Sequence, residues 1–140
     1  MENNHPPAFA EGGCLCGAVR YRVSGTPLST SLCHCRSCRL ASGAPSVGWV
    51  VFPDTQVQLL KGHPASHRSS TPVTRSFCPR CGTPLSYRHV DNPGVIELTS
   101  ATLDHPEQFP PACEIWLEHR IGWEAQNPEL PQHLHGSKDS

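Results

Sequence analysis

The sequence of 140 residues contains no long apolar run, no run of basic residues and no lasting helical periodicity. A membrane-spanning helix needs about 18 or more consecutive apolar residues, so we expect no membrane partner. Eleven lysines and arginines against twelve acidic residues give a net charge of -1, which predicts no nucleic-acid partner. Apolar residues make up only 36% of the chain, so burial alone is a weak source of stability.

The N-terminal residues, MENNHPPAFAEGG, include no basic stretch followed by an apolar one, so we expect no secretory signal and a cytoplasmic location. The chain is nevertheless rich in cysteine, with eight residues of that type. Structural disulfides are rare in a reducing compartment, which makes metal binding the favoured interpretation of these cysteines.

Short alternating segments separated by turn signals predict a mainly β domain with little helix. Segments of strand length are AVRYRV and the stretches at 47–52, 57–60, 84–88, 95–100 and 114–119. A single helical turn is predicted for 36–42. Polar, proline-rich stretches predict a flexible N-terminus over 1–11 and a flexible C-terminal tail over 126–140, which leaves one domain over 12–125.

The sharpest cysteine motif is CPRCG, which contains Cys78 and Cys81. Its two sulfurs can converge on one ion, and the glycine that follows allows a left-handed backbone. A redox pair of the same spacing would be expected at the start of a helix, whereas strands are predicted on both sides here. Two thiolates leave a tetrahedral zinc short of two ligands, which Cys14 and Cys16 can supply.

The segment LCHCRSCR brings Cys33, Cys35 and Cys38 within six residues. Their sulfurs can face one ion if the chain turns after Cys35, which leaves a coordination position for water or substrate. Two candidates for a fourth ligand at that position remain: Cys113, or a distant histidine such as His67.

These motifs resemble the glutathione-dependent formaldehyde-activating enzymes, a family whose domain is shared with centromere protein V. The resemblance covers about residues 12–125 and rests on the segments GGCLCGAVRYRVSG, CHCRSCRLASGAP, RSFCPRCGTPLSY and VIELTSATLDHPEQFPP. It implies a domain of small stacked antiparallel sheets and two zinc ions per chain. A structural zinc on Cys14, Cys16, Cys78 and Cys81 and an open, catalytic zinc on Cys33, Cys35 and Cys38 are the ligand sets that it implies.

The resemblance also implies a chemistry, the condensation of glutathione with formaldehyde by a carbon–sulfur lyase. An open zinc can hold a thiol as its thiolate or polarise an aldehyde carbonyl. Three thiolates give the zinc complex a net negative charge, which Arg36 and Arg39 could offset, and either arginine could pair with a glutathione carboxylate.

One position departs from the family pattern, because Glu114 stands where family members often carry a histidine. If that histidine shapes the pocket, the thiol or the aldehyde differs in this protein. Two other functions stay open: a zinc-stabilised interaction module without catalysis, and a thiol-redox or metal-buffering protein.

Overall fold

The computed structural model describes residues 9–137, within which ten strands and one helix follow one another. The strands are β1 (Phe9–Gly13), β2 (Arg20–Ser24), β3 (Ser29–Cys33), β4 (Val47–Pro53), β5 (Val57–Lys61), β6 (Ala65–Ser70), β7 (Val73–Phe77), β8 (Pro84–His89), β9 (Val95–Thr99) and β10 (Glu114–Ile115). The helix α1 spans Arg36–Ser42, and short 3₁₀ turns span Asp54–Gln56, Ser100–Thr102, Pro106–Gln108 and Leu117–His119. Among the helices of this region, none is long and apolar enough to cross a membrane.

The strands form two sheets. The smaller sheet has the order β1-β2-β5 and is antiparallel. The larger sheet has the order β10-β3-β4-β9-β8-β7-β6, and its neighbours are antiparallel except for the short parallel pair of β10 with β3. The mainly β fold of short antiparallel sheets is therefore confirmed.

The two faces of the larger sheet have different surroundings, because side chains alternate along each strand. On β4, Val50 and Phe52 are completely buried and pack with Tyr21 and Val23 of the smaller sheet in the main core. Trp49 points the other way and packs with Cys33, Cys38 and Val47 in a second, smaller cluster. The second face therefore carries cysteines, whereas the first face joins the sheets.

The helical turn predicted for residues 36–42 is confirmed, and its ends have clear causes. Cys35 caps the N-terminus, where its sulfur accepts a hydrogen bond from the Cys38 backbone N–H at 3.2 Å. Gly43 ends the helix with a φ of 71°, and its N–H bonds the Arg39 carbonyl. Glycine adopts this left-handed backbone without a Cβ clash, so the helix stops after two turns.

The strand predicted for residues 114–119 is wrong beyond its first two residues. Trp116 has a φ of 58°, which turns the chain out of β10 into the 3₁₀ turn Leu117–His119. Sequence reasoning also missed β1, β3, β6 and β7. Their sequences include STSLC and ASHRSS, in which serines replace the apolar residues that mark a strand.

Within residues 9–137, parts of both stretches that were predicted to be flexible pair with or hydrogen-bond to the sheets. The predicted domain boundary at residue 12 falls inside β1. Part of the predicted C-terminal tail lies beside β10, where Glu114 N–H bonds the Pro131 carbonyl and His133 N–H bonds the Glu114 carbonyl. Residues 1–8 and 138–140, also predicted to be flexible, lie outside the described residues.

Candidate metal centres

The first candidate centre, called the four-cysteine cluster below, consists of Cys14, Cys16, Cys78 and Cys81. Their sulfurs all lie within 4.8 Å of one another. Cys14 and Cys16 follow β1 of the smaller sheet, whereas Cys78 and Cys81 lie in the turn between β7 and β8 of the larger sheet. The cluster therefore joins the two sheets at one end.

The geometry of this cluster fits zinc. Sulfurs bound tetrahedrally at about 2.3 Å from a zinc ion lie about 3.8 Å apart. The Cys14–Cys16 and Cys16–Cys78 sulfur separations are 3.6 and 3.8 Å. The N–H groups of Arg80 and Cys81 both donate to the Cys78 sulfur at 3.4 Å, as expected around a thiolate.

Two further residues of the same turn support thiolate formation. The Thr83 hydroxyl lies 3.2 Å from the Cys81 sulfur, and hydrogen bonding to it lowers the pKa of Cys81 to about 5. Gly82 has a φ of 82°, and its N–H bonds the Cys78 carbonyl at 2.8 Å. The left-handed backbone predicted for this glycine is thus present.

The second candidate centre, the three-cysteine cluster, consists of Cys33, Cys35 and Cys38. Cys33 ends β3, Cys35 caps α1 and Cys38 lies in its first turn, so one change of chain direction brings three sulfurs within 4.8 Å of one another. Arg75 on β7 approaches from the side, with a guanidinium nitrogen 3.8 Å from the Cys38 sulfur. The three sulfurs could hold a metal ion, as predicted from their spacing.

The electrostatics of the three sulfurs also favour a bound cation. Hydrogen bonds from Cys33 and Cys38, followed by the positive charge of Arg75, lower the pKa of the Cys35 thiol. The hydrogen bonds to Cys35 and Cys38, together with burial, raise the pKa of the Cys33 thiol, because a second negative sulfur would lie beside the first. Three thiolates can therefore coexist here only with a cation among them, and soft sulfur donors suit zinc.

Neither predicted rival ligand lies with these sulfurs. The Cys113 thiol faces the Thr30 carbonyl at 3.9 Å, and burial raises its pKa. His67 lies opposite Arg75 on β6. Within residues 9–137, no fourth His, Cys, Asp or Glu ligand atom joins the three sulfurs within the 4.8 Å limit.

A cavity of about 360 Å³, called the cysteine pocket below, opens beside the three-cysteine cluster. Its lining includes Cys35, Cys38, Trp49, Arg75, Tyr87 and Glu97. The guanidinium of Arg75 lies over the Tyr87 ring at 5.1 Å. Arg36 also lines the pocket, whereas Arg39 instead donates to the His119 carbonyl at 3.3 Å.

A second cavity, of about 470 Å³, lies beside the same helix and shares Arg36, Cys38 and Arg75 with the cysteine pocket. Cavities of these two sizes are large enough to take small-molecule ligands.

A buried hydrogen bond between a histidine and a carboxylate holds the three-cysteine segment from behind. His34 lies between its cysteine neighbours in sequence, and its Nε2 lies 2.8 Å from Glu114 Oε1, with both side chains fully buried. Glu114 Oε2 accepts hydrogen bonds from Asn127 N–H and the Gln132 amide, both at 2.9 Å. Burial opposes ionisation of Glu114, but these hydrogen bonds and that to His34 lower its pKa overall.

Sequence reasoning missed the functional candidates Arg75, Tyr87 and Glu97, which come from three separate strands. Strand pairing places Arg75 opposite Tyr87 and Tyr87 opposite Glu97. The alternation in PLSYR and VIELTS indicates which residues share a face, but it does not show which strands are neighbours.

Comparisons with known proteins identify the family that this chain resembles. The family model of the glutathione-dependent formaldehyde-activating enzymes matches residues 9–119. A Halomonas elongata protein, provisionally named as such an enzyme, is 30% identical over 124 residues, which cover 81% of this chain and 78% of that protein.

Two further proteins are similar to this chain. An uncharacterised lyase of Schizosaccharomyces pombe is 32% identical over 90 residues, which cover 61% of this chain and 64% of that protein. The crystal structure of a Rhodobacter sphaeroides protein superposes with a TM-score of 0.58 at 21% identity, over 87% of this chain and 98% of that chain, and supports the fold alone.

Proposed function

This chain belongs to the family of glutathione-dependent formaldehyde-activating enzymes, and from that premise we propose that it joins a thiol such as glutathione to a small aldehyde such as formaldehyde. With these two substrates the product is S-hydroxymethylglutathione, and the activity is that of a carbon–sulfur lyase. The proposal includes two zinc ions per chain, a structural one on Cys14, Cys16, Cys78 and Cys81 and a catalytic one on Cys33, Cys35 and Cys38.

The observation that carries this proposal is the difference in ligand number between the two clusters. Four sulfurs complete a tetrahedral zinc, whereas three leave one position for water or substrate. The three-cysteine cluster also lines a cavity of about 360 Å³. An incomplete ligand set beside a cavity is the arrangement expected of a catalytic metal site.

A zinc ion at these three sulfurs would supply a Lewis acid and a position that favours a bound thiol as its thiolate. The protein supplies the other requirements. Arg75 places positive charge 3.8 Å from the Cys38 sulfur, which offsets the negative charge of three thiolates. Trp49 and Trp116 line part of the cavity with apolar surface, which lowers the polarity around a bound substrate.

We also place the protein in the cytoplasm. Seven of its cysteines converge in two clusters suited to metal binding, and such thiols stay reduced in that compartment. Glutathione is the thiol tested below, and the proposed reaction requires neither a nucleic acid nor a membrane.

The test is catalysis of adduct formation by zinc-loaded protein. Glutathione and ¹³C-labelled formaldehyde react slowly without a catalyst, and exchange NMR measures how fast the labelled carbon moves between its free and thiol-bound forms. We expect the protein to raise this exchange rate. Cys35→Ala should return the rate to the uncatalysed value, whereas Cys113→Ala, outside the cluster, should keep the increase.

Circular dichroism and zinc analysis accompany each measurement. A folded wild-type protein with two zinc ions and no effect on the exchange rate would contradict the proposal in favour of a zinc-stabilised interaction module. Equal rates for Cys35→Ala and wild type would show that catalysis occurs elsewhere.

A further inference from the structure

The second face of the larger sheet presents one row of side chains to the cysteine pocket. Glu97 lies opposite Tyr87 of β8 on one side and Val51 of β4 on the other, and Tyr87 lies opposite Arg75 of β7. Directly opposed residues of neighbouring strands point to the same face. Glu97, Tyr87 and Arg75 all line the pocket, and Arg75 extends from this row to the Cys38 sulfur.

Among the described residues, Glu97 lacks the hydrogen-bonded or charged partner that five other carboxylates of the fold have. Glu11 pairs with Arg22, Asp54 with Arg88, and Asp104 with Arg20; Glu114 and Glu118 each pair with a histidine. The Glu97 carboxylate is only partly exposed, yet no hydrogen bond or ion pair within residues 9–137 reaches it. A partly buried carboxylate without a partner is costly, so a structural role does not explain its place in the pocket.

The environment of Glu97 adjusts its proton affinity. Burial raises the pKa of Glu97 to about 7, although the positive charge of Arg75 acts in the opposite direction. Burial likewise raises the pKa of Tyr87 to about 12, so this neighbour keeps its proton. A general base is most effective when its pKa lies near the working pH, and Glu97 meets that condition.

We propose that Glu97 is the general acid–base residue of the cysteine pocket, an inference that rests on the proposed function. Its carboxylate takes the proton from the thiol while the sulfur lone pair forms the carbon–sulfur bond. The carbonyl π electrons move to the aldehyde oxygen, which then receives the proton from Glu97. No atom or electron is gained or lost, and the carboxylate is regenerated.

The other groups facing the pocket are poorly suited to this proton transfer. Arg75 on β7 and Arg36 on α1 are cations, Tyr87 holds its proton too tightly, and the nearest β4 residues, Val51 and Trp49, carry no charge. Apart from the three cysteines of the cluster, the remaining titratable group of the lining is His119, which lies in the 3₁₀ turn that follows β10. The test therefore includes His119→Gln as a competing assignment.

The kinetic test compares Glu97→Gln with wild type in the same exchange experiment. Positioned acid–base groups contribute about 10²- to 10⁴-fold, so we expect kcat to fall by that factor with little change in KM. The wild-type rate should fall about tenfold per pH unit below pH 7, as the carboxylate becomes protonated, and this decline should disappear in the variant. Glu97→Asp should restore part of the rate, and Glu107→Gln, an exposed control, should match wild type.

A second measurement does not depend on turnover. Titration calorimetry of zinc-loaded protein with glutathione, repeated in buffers of different ionisation enthalpy, counts the protons released when the thiol binds. Between pH 7 and 8 the wild type should release clearly less than one proton per thiol bound, because the negative thiolate beside Glu97 raises the pKa of that carboxyl group further and lets it keep part of the thiol proton. Glu97→Gln should release about one proton per thiol bound.

The outcomes separate the two proposals. Wild-type activity combined with an unchanged rate, pH profile and proton release in Glu97→Gln overturns the assignment of Glu97 alone. Loss of the pH dependence in His119→Gln instead would move the role to that histidine and would also overturn it. A wild-type protein that neither binds glutathione nor accelerates the exchange overturns the proposed function, and this inference with it.

Discussion

The four-cysteine and three-cysteine clusters use the same side chain in opposite ways. The first draws its sulfurs from loops of both sheets, and Cys16 and Cys78, which are in contact, lie 62 positions apart in the sequence. The second draws all its sulfurs from six consecutive residues, so a metal ion bound there would join no distant segments. Stability is therefore expected to depend on the first cluster and chemistry on the second.

The largest expected effect is the loss of the fold in Cys78→Ser. Structural zinc contributes about 10–16 kcal/mol in small domains, which exceeds or matches a typical stability of about 5–15 kcal/mol. Circular dichroism and urea unfolding should show an unfolded or insoluble protein, whereas Cys35→Ala should unfold cooperatively after losing one zinc. A soluble Cys78→Ser protein with a wild-type unfolding midpoint would remove the contrast between the clusters.

A smaller loss of stability is expected from Glu114→Ala, which tests how the three-cysteine segment is attached. Leaving a buried polar group without its hydrogen-bond partner costs about 1–3 kcal/mol, and here the substitution removes the acceptor of His34, of the Gln132 amide and of the Asn127 N–H. Urea unfolding measures this cost. Glu114→Gln keeps the shape and an acceptor oxygen, so it should lose less. Equal stability of Glu114→Ala and wild type would show that the segment is held by other contacts.

The smallest effect concerns metal retention in the intact protein. The zinc proposed for the three-cysteine cluster has one protein ligand fewer, so a mild chelator should remove one equivalent first while circular dichroism stays unchanged. Cys113→Ser, the control, should give the same two-step release. Simultaneous loss of both ions would argue against a difference between the two clusters. Slower loss of the first equivalent in wild type than in Cys113→Ser would show that Cys113 is a fourth ligand of the three-cysteine cluster.

Cysteine spacing was enough to predict both clusters as groups, because C-x-C and C-x-x-C place sulfurs together through local turns. Glu97 could not be found in this way, since it reaches the pocket only through the pairing of β8 with β9. Strand β6, with the sequence ASHRSS, was missed because its residues are largely exposed and carry no apolar alternation. Such strands are defined by their neighbours and not by their own sequence.

The attachment of the C-terminal segment beside β10 also could not be predicted from the local sequence. Its polar composition is typical of a flexible segment, yet Gln132 and Asn127 bond a carboxylate that is completely buried. Glu114 gave the only sequence signal, as a departure from the family pattern. A charged residue in place of a histidine indicates that its surroundings supply new partners.

The sequence separation within each cluster also sets an order of assembly during synthesis. Closing a chain of about 60 residues costs more entropy than closing one of five, and Cys81 leaves the ribosome long after Cys38. The three-cysteine segment can thus bind a metal ion before β7 has been synthesised. The four-cysteine cluster can form only after the CPRCG turn has emerged, so we expect its completion to be the step that commits the nascent chain to its two-sheet fold.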